Sequence, residues 1–176
     1  MTDHVNPNIP LDAPIAERVE QAAAHFGDAD LISRAIGLLE GRNEGEEMLL
    51  FAGGRHAQGI LDGAPALYWP ELWGARIFLY RWDASAAPAV VSGVTNQAWR
   101  VREMCLRVCA LRSVGDTSIF TARLSDPNAR VRAAAIRAIA AVGTEADAGA
   151  VEPALRDRDI DVRRVAGEAL KALRAK

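Results

Sequence analysis

Leu124-Ser125-Asp126-Pro127-Asn128-Ala129-Arg130-Val131-Arg132 is answered 31 residues later by Leu155-Arg156-Asp157-Arg158-Asp159-Ile160-Asp161-Val162-Arg163. A weaker copy lies 30 residues upstream, with Val94, Asn96 and Val101-Arg102 in the Leu, Asp and Val-Arg positions. Four residues after each Val stands a small side chain, Cys105, Ala135 or Ala166, and four further on Cys109, Ile139 or Leu170. One unit earlier, Ala75 and Leu79 fit these columns, although Glu71 replaces the Val and Leu72 the Arg. Each unit reads as a short helix, a turn and a longer helix. Such a unit buries its apolar face only against its neighbours.

The recurring pattern L-x-D…V-R-x-x-A-x-x-A-L resembles that of HEAT repeats, over about residues 69–173. The resemblance implies an all-α fold, a right-handed α-solenoid of helical hairpins. It also implies a ladder in which a turn Asp and the Arg six residues later are hydrogen-bonded along the stack. The matching positions are Asp126 with Arg132 and Asp157 with Arg163, and Asn96 with Arg102 is a weaker rung. Residues 1–65 fall outside the pattern. The prolines at 7, 10 and 14 predict an extended lead-in over 1–13. A non-repeating helical cap is expected over 14–65, continuous as one domain with an array over 66–176. Within the cap, Ala16, Val19, Ala23 and Phe26 set the face of a first helix. Asp28 or Asp30 is expected to cap a second, which carries Leu31, Ala35, Leu38 and Leu39. The stretch 44–61 predicts helix with a break near Gly53, Gly54 or Gly59.

Composition agrees with a folded chain: of 176 residues half are apolar and 25% charged. The 34 alanines suit closely stacked helices. No stretch approaches the roughly 18–20 consecutive apolar residues of a membrane span. The opening residues lack the basic and apolar regions of a secretory leader, and two cysteines cannot staple a domain of this size. A cytoplasmic location is therefore expected. The net charge of −2 conceals an asymmetry: residues 1–96 carry 6 basic and 13 acidic side chains, residues 97–176 carry 15 and 10.

In HEAT arrays the helix bearing the Val-Arg motif lines the concave side. Stepping 100° per residue from Val131 puts Arg130, Ala133, Arg137 and Ala141 on the solvent face. The preceding unit places Arg100, Glu103 and Arg107 there, and the following one Asp161, Arg164 and Glu168. In the unit at 69–82 these columns hold Trp73, Ile77 and Tyr80. The resulting expectation is a partner-binding face made of Trp73, Ile77, Tyr80, Arg100, Arg107, Arg130 and Arg137. Apolar rings beside arginine suit a protein or peptide partner, particularly an acidic one, or a nucleic-acid backbone. A fold-back of the N-terminal helices over the aromatics would instead make them core.

No catalytic set, cofactor motif or metal site is predicted. Cys105 and Cys109 share a helix face, but they fall in core columns and no His lies near them in sequence. His4, His25 and His56 have no ligand spacing. Alkylpurine DNA glycosylases, also built of HEAT-like repeats, provide the enzymatic alternative. Trp69, Trp73, Trp82 and Trp99 with Arg76, Arg81 and Asp83 are similar to their sites in composition alone. Asp83 reads more simply as a turn residue, and Trp99 and Trp82 as buried-side residues. A scaffold or adaptor that binds a protein on its concave face is the first expectation.

Overall fold

The computed structural model describes residues 8–176, and among these every regular element is helical. Of the expected lead-in, residues 1–7, with His4 and Pro7, lie outside the described residues. The chain forms two compact units, the first ending at Ala86 and the second beginning at Ala87.

The first unit holds α1 (Ile15–Phe26), α2 (Asp28–Leu39), α3 (Glu46–Gly53), α4 (Arg55–Leu61) and α5 (Trp69–Ile77). Helix α1 packs on α2 and α3, and α5 packs on α2 and α3. The inward stripe of α1 is Ile15, Val19 and Ala22, whereas Ala16 is exposed. The buried face is thus turned from the one the periodicity predicts, because Ile15 is the larger apolar group. Neither Asp28 nor Asp30 caps α2. Gly27 is the N-cap, and both acids lie in the first turn, where the helix dipole favours them. The expected break over 44–61 falls at Gly54, whose φ of +58° suits glycine and where a Cβ would sit 2.6 Å from the Leu11 carbonyl oxygen. Beside it Arg18 is buried. Its Nε donates to the Phe51 carbonyl at 2.9 Å and Nη1 to that of Ala13, tying the lead-in to α3. Burial, and then the Arg76 charge, hold this guanidinium below its ordinary pKa. Gly74 lets α5 lie against α2, since a Cβ there would be 2.7 Å from the Ala35 carbonyl oxygen.

The second unit holds α6 (Ala87–Gly93), α7 (Trp99–Arg112), α8 (Thr117–Thr121), α9 (Ala129–Val142), α10 (Ala148–Val151) and α11 (Ile160–Arg174). Long helix packs on long helix, α7 on α9 and α9 on α11, while short α6 packs on α7 and α8 on α9. The last short segment is α10 and the 3-10 turn Glu152–Arg156, both packed on α11. This is the layered packing of helical hairpins. Cys105, Ala135 and Ala166 are each fully buried, as the column of small residues requires. Asn128 and Asp159 cap α9 and α11, accepting from the N–H groups of Arg130 at 3.0 Å and Asp161 at 2.9 Å.

The ladder exists, but its register differs from the expected one. Arg132 does not reach the carboxylate of Asp126; it donates to that residue's main-chain carbonyl at 2.9 Å. Its Nε and Nη2 go forward to both oxygens of Asp157, at 2.8 and 2.7 Å. Likewise Arg102 donates to the carbonyl of Asn96 at 2.9 Å and grips Asp126 bidentately at 2.8 and 3.0 Å. Arg163 keeps the backward bond, to the Asp157 carbonyl at 2.7 Å. The reason is geometric. The Asp oxygen also receives the N–H two residues on, Asn128 at 2.9 Å or Asp159 at 2.8 Å, so the carboxylate is turned away from its own helix. Arg102 and Arg132 therefore each sew their own turn and join it to the next repeat, while Arg163 closes its own turn.

Asp126→Ala should accordingly strand Arg102, not Arg132, and lower stability by about 1–3 kcal/mol in urea unfolding. Ala135→Leu should cost a similar amount, roughly 1–3 kcal/mol, by overpacking a fully buried contact. Arg132, aided by the Asp159 N–H and opposed by burial, holds the Asp157 carboxyl below the ordinary carboxylate range. Its contribution is thus present above about pH 4, the unfolded value, and is lost as pH falls through the folded one. Asp157→Asn should be less stable than the parent at neutral pH, with the gap closing below about pH 4 in pH-dependent unfolding.

Candidate functional site

Across the solvent faces of α7, α9 and α11 runs a groove of about 450 Å³. Its floor is Ala129 and Ala133, and its walls carry Glu103, Arg107, Arg130, Arg137, Asp161 and Arg164. The 30-residue repeat makes the groove, because it sets equivalent positions of successive long helices side by side. Ala133, read as a solvent position from its helical angle, is nearly buried at the base because neighbouring helices close over it.

The charges on this face are unequally matched. Arg130 pairs with Glu103 at 3.3 Å, and Arg164 with Glu168 at 2.8 Å and Asp161 at 3.7 Å. Asp159 is engaged as the cap of α11. Arg107 and Arg137 are exposed, and among the described residues neither has a carboxylate within ion-pair distance. They occupy the same column one repeat apart. Arg100 and Arg130 also lie over the ring of Trp99, at 4.5 and 5.6 Å from its centroid. Trp99 is half-buried and presents a cation-bearing ring near the Glu103–Arg130 pair. Angular placement assigned it to the buried side. The nearby Arg100 in the sequence was the signal that its ring has a polar face.

The aromatic part of the expected face is corrected. Trp73 is 3% and Ile77 1% exposed, so both belong to the core of the first unit; Tyr80 is 40% exposed. Trp73 lies over Gly53 of α3, 5.2 Å from the His56 ring and stacked on Trp69 at 6.2 Å. The cause is that α5 is enclosed by α2 and α3, so the face that is open in α7 and α9 is covered here. Arg81 is held by Glu20 at 2.5 Å, and Asp83 accepts from the Ser85 N–H at 2.9 Å as a turn residue. Trp82 meets Phe78 edge-on at 5.9 Å. Cys105 and Cys109 are buried, and burial pushes the Cys109 thiol up to about 12, which suits a core residue and not a nucleophile.

Residues 87–171 match the family model of HEAT repeats. The second unit therefore belongs to the HEAT-repeat family, whose repeats mediate protein–protein interaction or scaffolding. The unit at 69–82 lies outside the matched residues. No curated protein matches the chain in a sequence search. No helix among the described residues is long and apolar enough to cross a membrane.

Core and surface roles separate by substitution. Trp73→Ala should cost about 3–5 kcal/mol in thermal or urea unfolding, as a large buried aromatic. Tyr80→Ala, at an exposed position, should cost much less.

Proposed function

We propose that the chain is a HEAT-repeat adaptor holding a protein partner in the groove of α7, α9 and α11, with Arg107 and Arg137 receiving acidic side chains of that partner. The observation that carries this reading is that Arg107 and Arg137, exposed and in one column of the groove, have no carboxylate within ion-pair distance among the described residues, whereas Arg130 and Arg164 do. The alanine floor leaves room for a chain to lie between them. Guanidinium forks take carboxylates bidentately, which gives direction as well as attraction. Binding suits this site better than catalysis: its groups are cations, ion pairs and small apolar side chains, and the two cysteines are core.

The variant R107E/R137E tests the proposal. A panel of fluorescent Asp/Glu-rich peptides should bind the parent at low ionic strength and weaken as salt rises. Against the double variant, affinity should fall about tenfold or more, with the circular dichroism unchanged. Equal binding by parent and variant would remove the groove as the site.

A further inference from the structure

The first unit carries a second groove of opposite chemistry. It lies between the end of α2, the turn over 40–45, α3, the end of α4 and the start of α5, with a volume of about 400 Å³. Leu38, Leu49, Ile60, Leu61, Leu67 and Pro70 give it an aliphatic lining. Within that lining Leu61 is 37% and Leu67 72% exposed. Leu67 also has a φ of 48°, a left-handed backbone conformation that a branched apolar residue seldom adopts. An aliphatic side chain is thus held in water on a strained backbone, and strain of this kind collects where ligands are gripped.

The rim is acidic. Glu44 and Glu46 stand on it with one cation, Arg42. Arg42 is already bound by Glu40 and by Glu44, the latter at 3.3 Å. Glu46 is exposed, in the first turn of α3, and has no ion pair among the described residues. An incoming segment therefore meets apolar surface at the centre and, at the edge, the unpaired Glu46 beside one arginine already shared by two acids.

We infer that this groove docks a short aliphatic segment flanked by Lys or Arg in a partner protein. The aliphatic residues would remove Leu61 and Leu67 from water, the area-dependent gain that drives association. The basic flanks answer the charge of the rim, while acidic flanks would be repelled, so charge sets which segments enter. The inference is independent of the repeat groove, whose surplus charge is positive and which selects the opposite kind of segment.

Panning a random dodecapeptide library on the full chain tests it. Enriched sequences should carry two or more aliphatic residues beside Lys or Arg. A synthetic peptide of that type should lose about tenfold or more affinity on L67S and on E46K. Both substitutions are at exposed positions, so circular dichroism and Tm should match the parent. Titration should shift the methyl resonances of Leu61 and Leu67 and leave those of Ile139 in place. Basic peptides that bind L67S and E46K as well as the parent overturn the inference, as does enrichment of no basic aliphatic peptide. Acidic peptides lost only on R107E/R137E report on the repeat groove, so the two readings fail separately.

Discussion

The guanidinium that leaves one repeat and closes on the carboxylate of the next is the interaction on which the second unit depends. Arg102 and Arg132 each make four hydrogen bonds, two to carbonyls of their own turn and two to a carboxylate one repeat away. Taking these ions from water is costly, and a bidentate pair with its remaining donors satisfied offsets most of that cost. Its structural consequence is register. A helix slipped by one residue against its neighbour would lose both carboxylate bonds at once and leave a largely buried charge unmatched. Apolar packing alone tolerates such a slip better. The column Cys105, Ala135 and Ala166 then lets the helices close to the distance the rung demands, because larger side chains there would hold them apart.

The same repeat that builds the rung exposes the groove. Once the helices are held in register, every position three to six residues along them is aligned across the stack. The alignment puts Arg107 and Arg137 in one column of the groove, and brings Arg130 within reach of Glu103 on the neighbouring helix. One set of residues therefore determines stability on the turn side and charge pattern on the solvent side. The Asn at 96 fits this logic. It keeps the turn bond, accepting from the Ala98 N–H at 2.8 Å as Asp126 and Asp157 accept from theirs.

Spacing made the ladder positions and the small-residue column legible, because both recur at a fixed period. It could not distinguish the partners within the ladder. An Asp and an Arg six residues apart look like a pair in one turn, and only the Asx bond that rotates the carboxylate outward reveals that they serve neighbouring repeats. Arg107, Arg130 and Arg137 were readable as one face because their helices pack on each other and leave that face to solvent. Trp73 and Ile77 were not, since angular position on a helix says which residues share a face and not whether another helix covers it. In α5 the covering helices are α2 and α3, whose sequences carry none of the repeat that would have signalled the contact. The apolar groove of the first unit was missed for a related reason: it is assembled from helix ends and two turns, none of which has a period to read.

The solvent face of the array contributes little to holding it together. Exposed pairs such as Arg164–Glu168 are worth about 0–1 kcal/mol, whereas the rungs are shielded: the Asp126 side chain is 2% and Arg102 13% exposed. Charge on the groove can therefore vary without loosening the stack. That freedom makes the observed imbalance informative. Glu103 is committed to Arg130, Glu168 and Asp161 to Arg164, and Asp159 to the N-terminus of α11, so each acid of the groove is already engaged. Adding a carboxylate near Arg107 or Arg137 would have been permitted by packing and mildly stabilising. Its absence leaves two guanidinium groups exposed at one repeat's separation, the pair that the proposed acidic partner would engage.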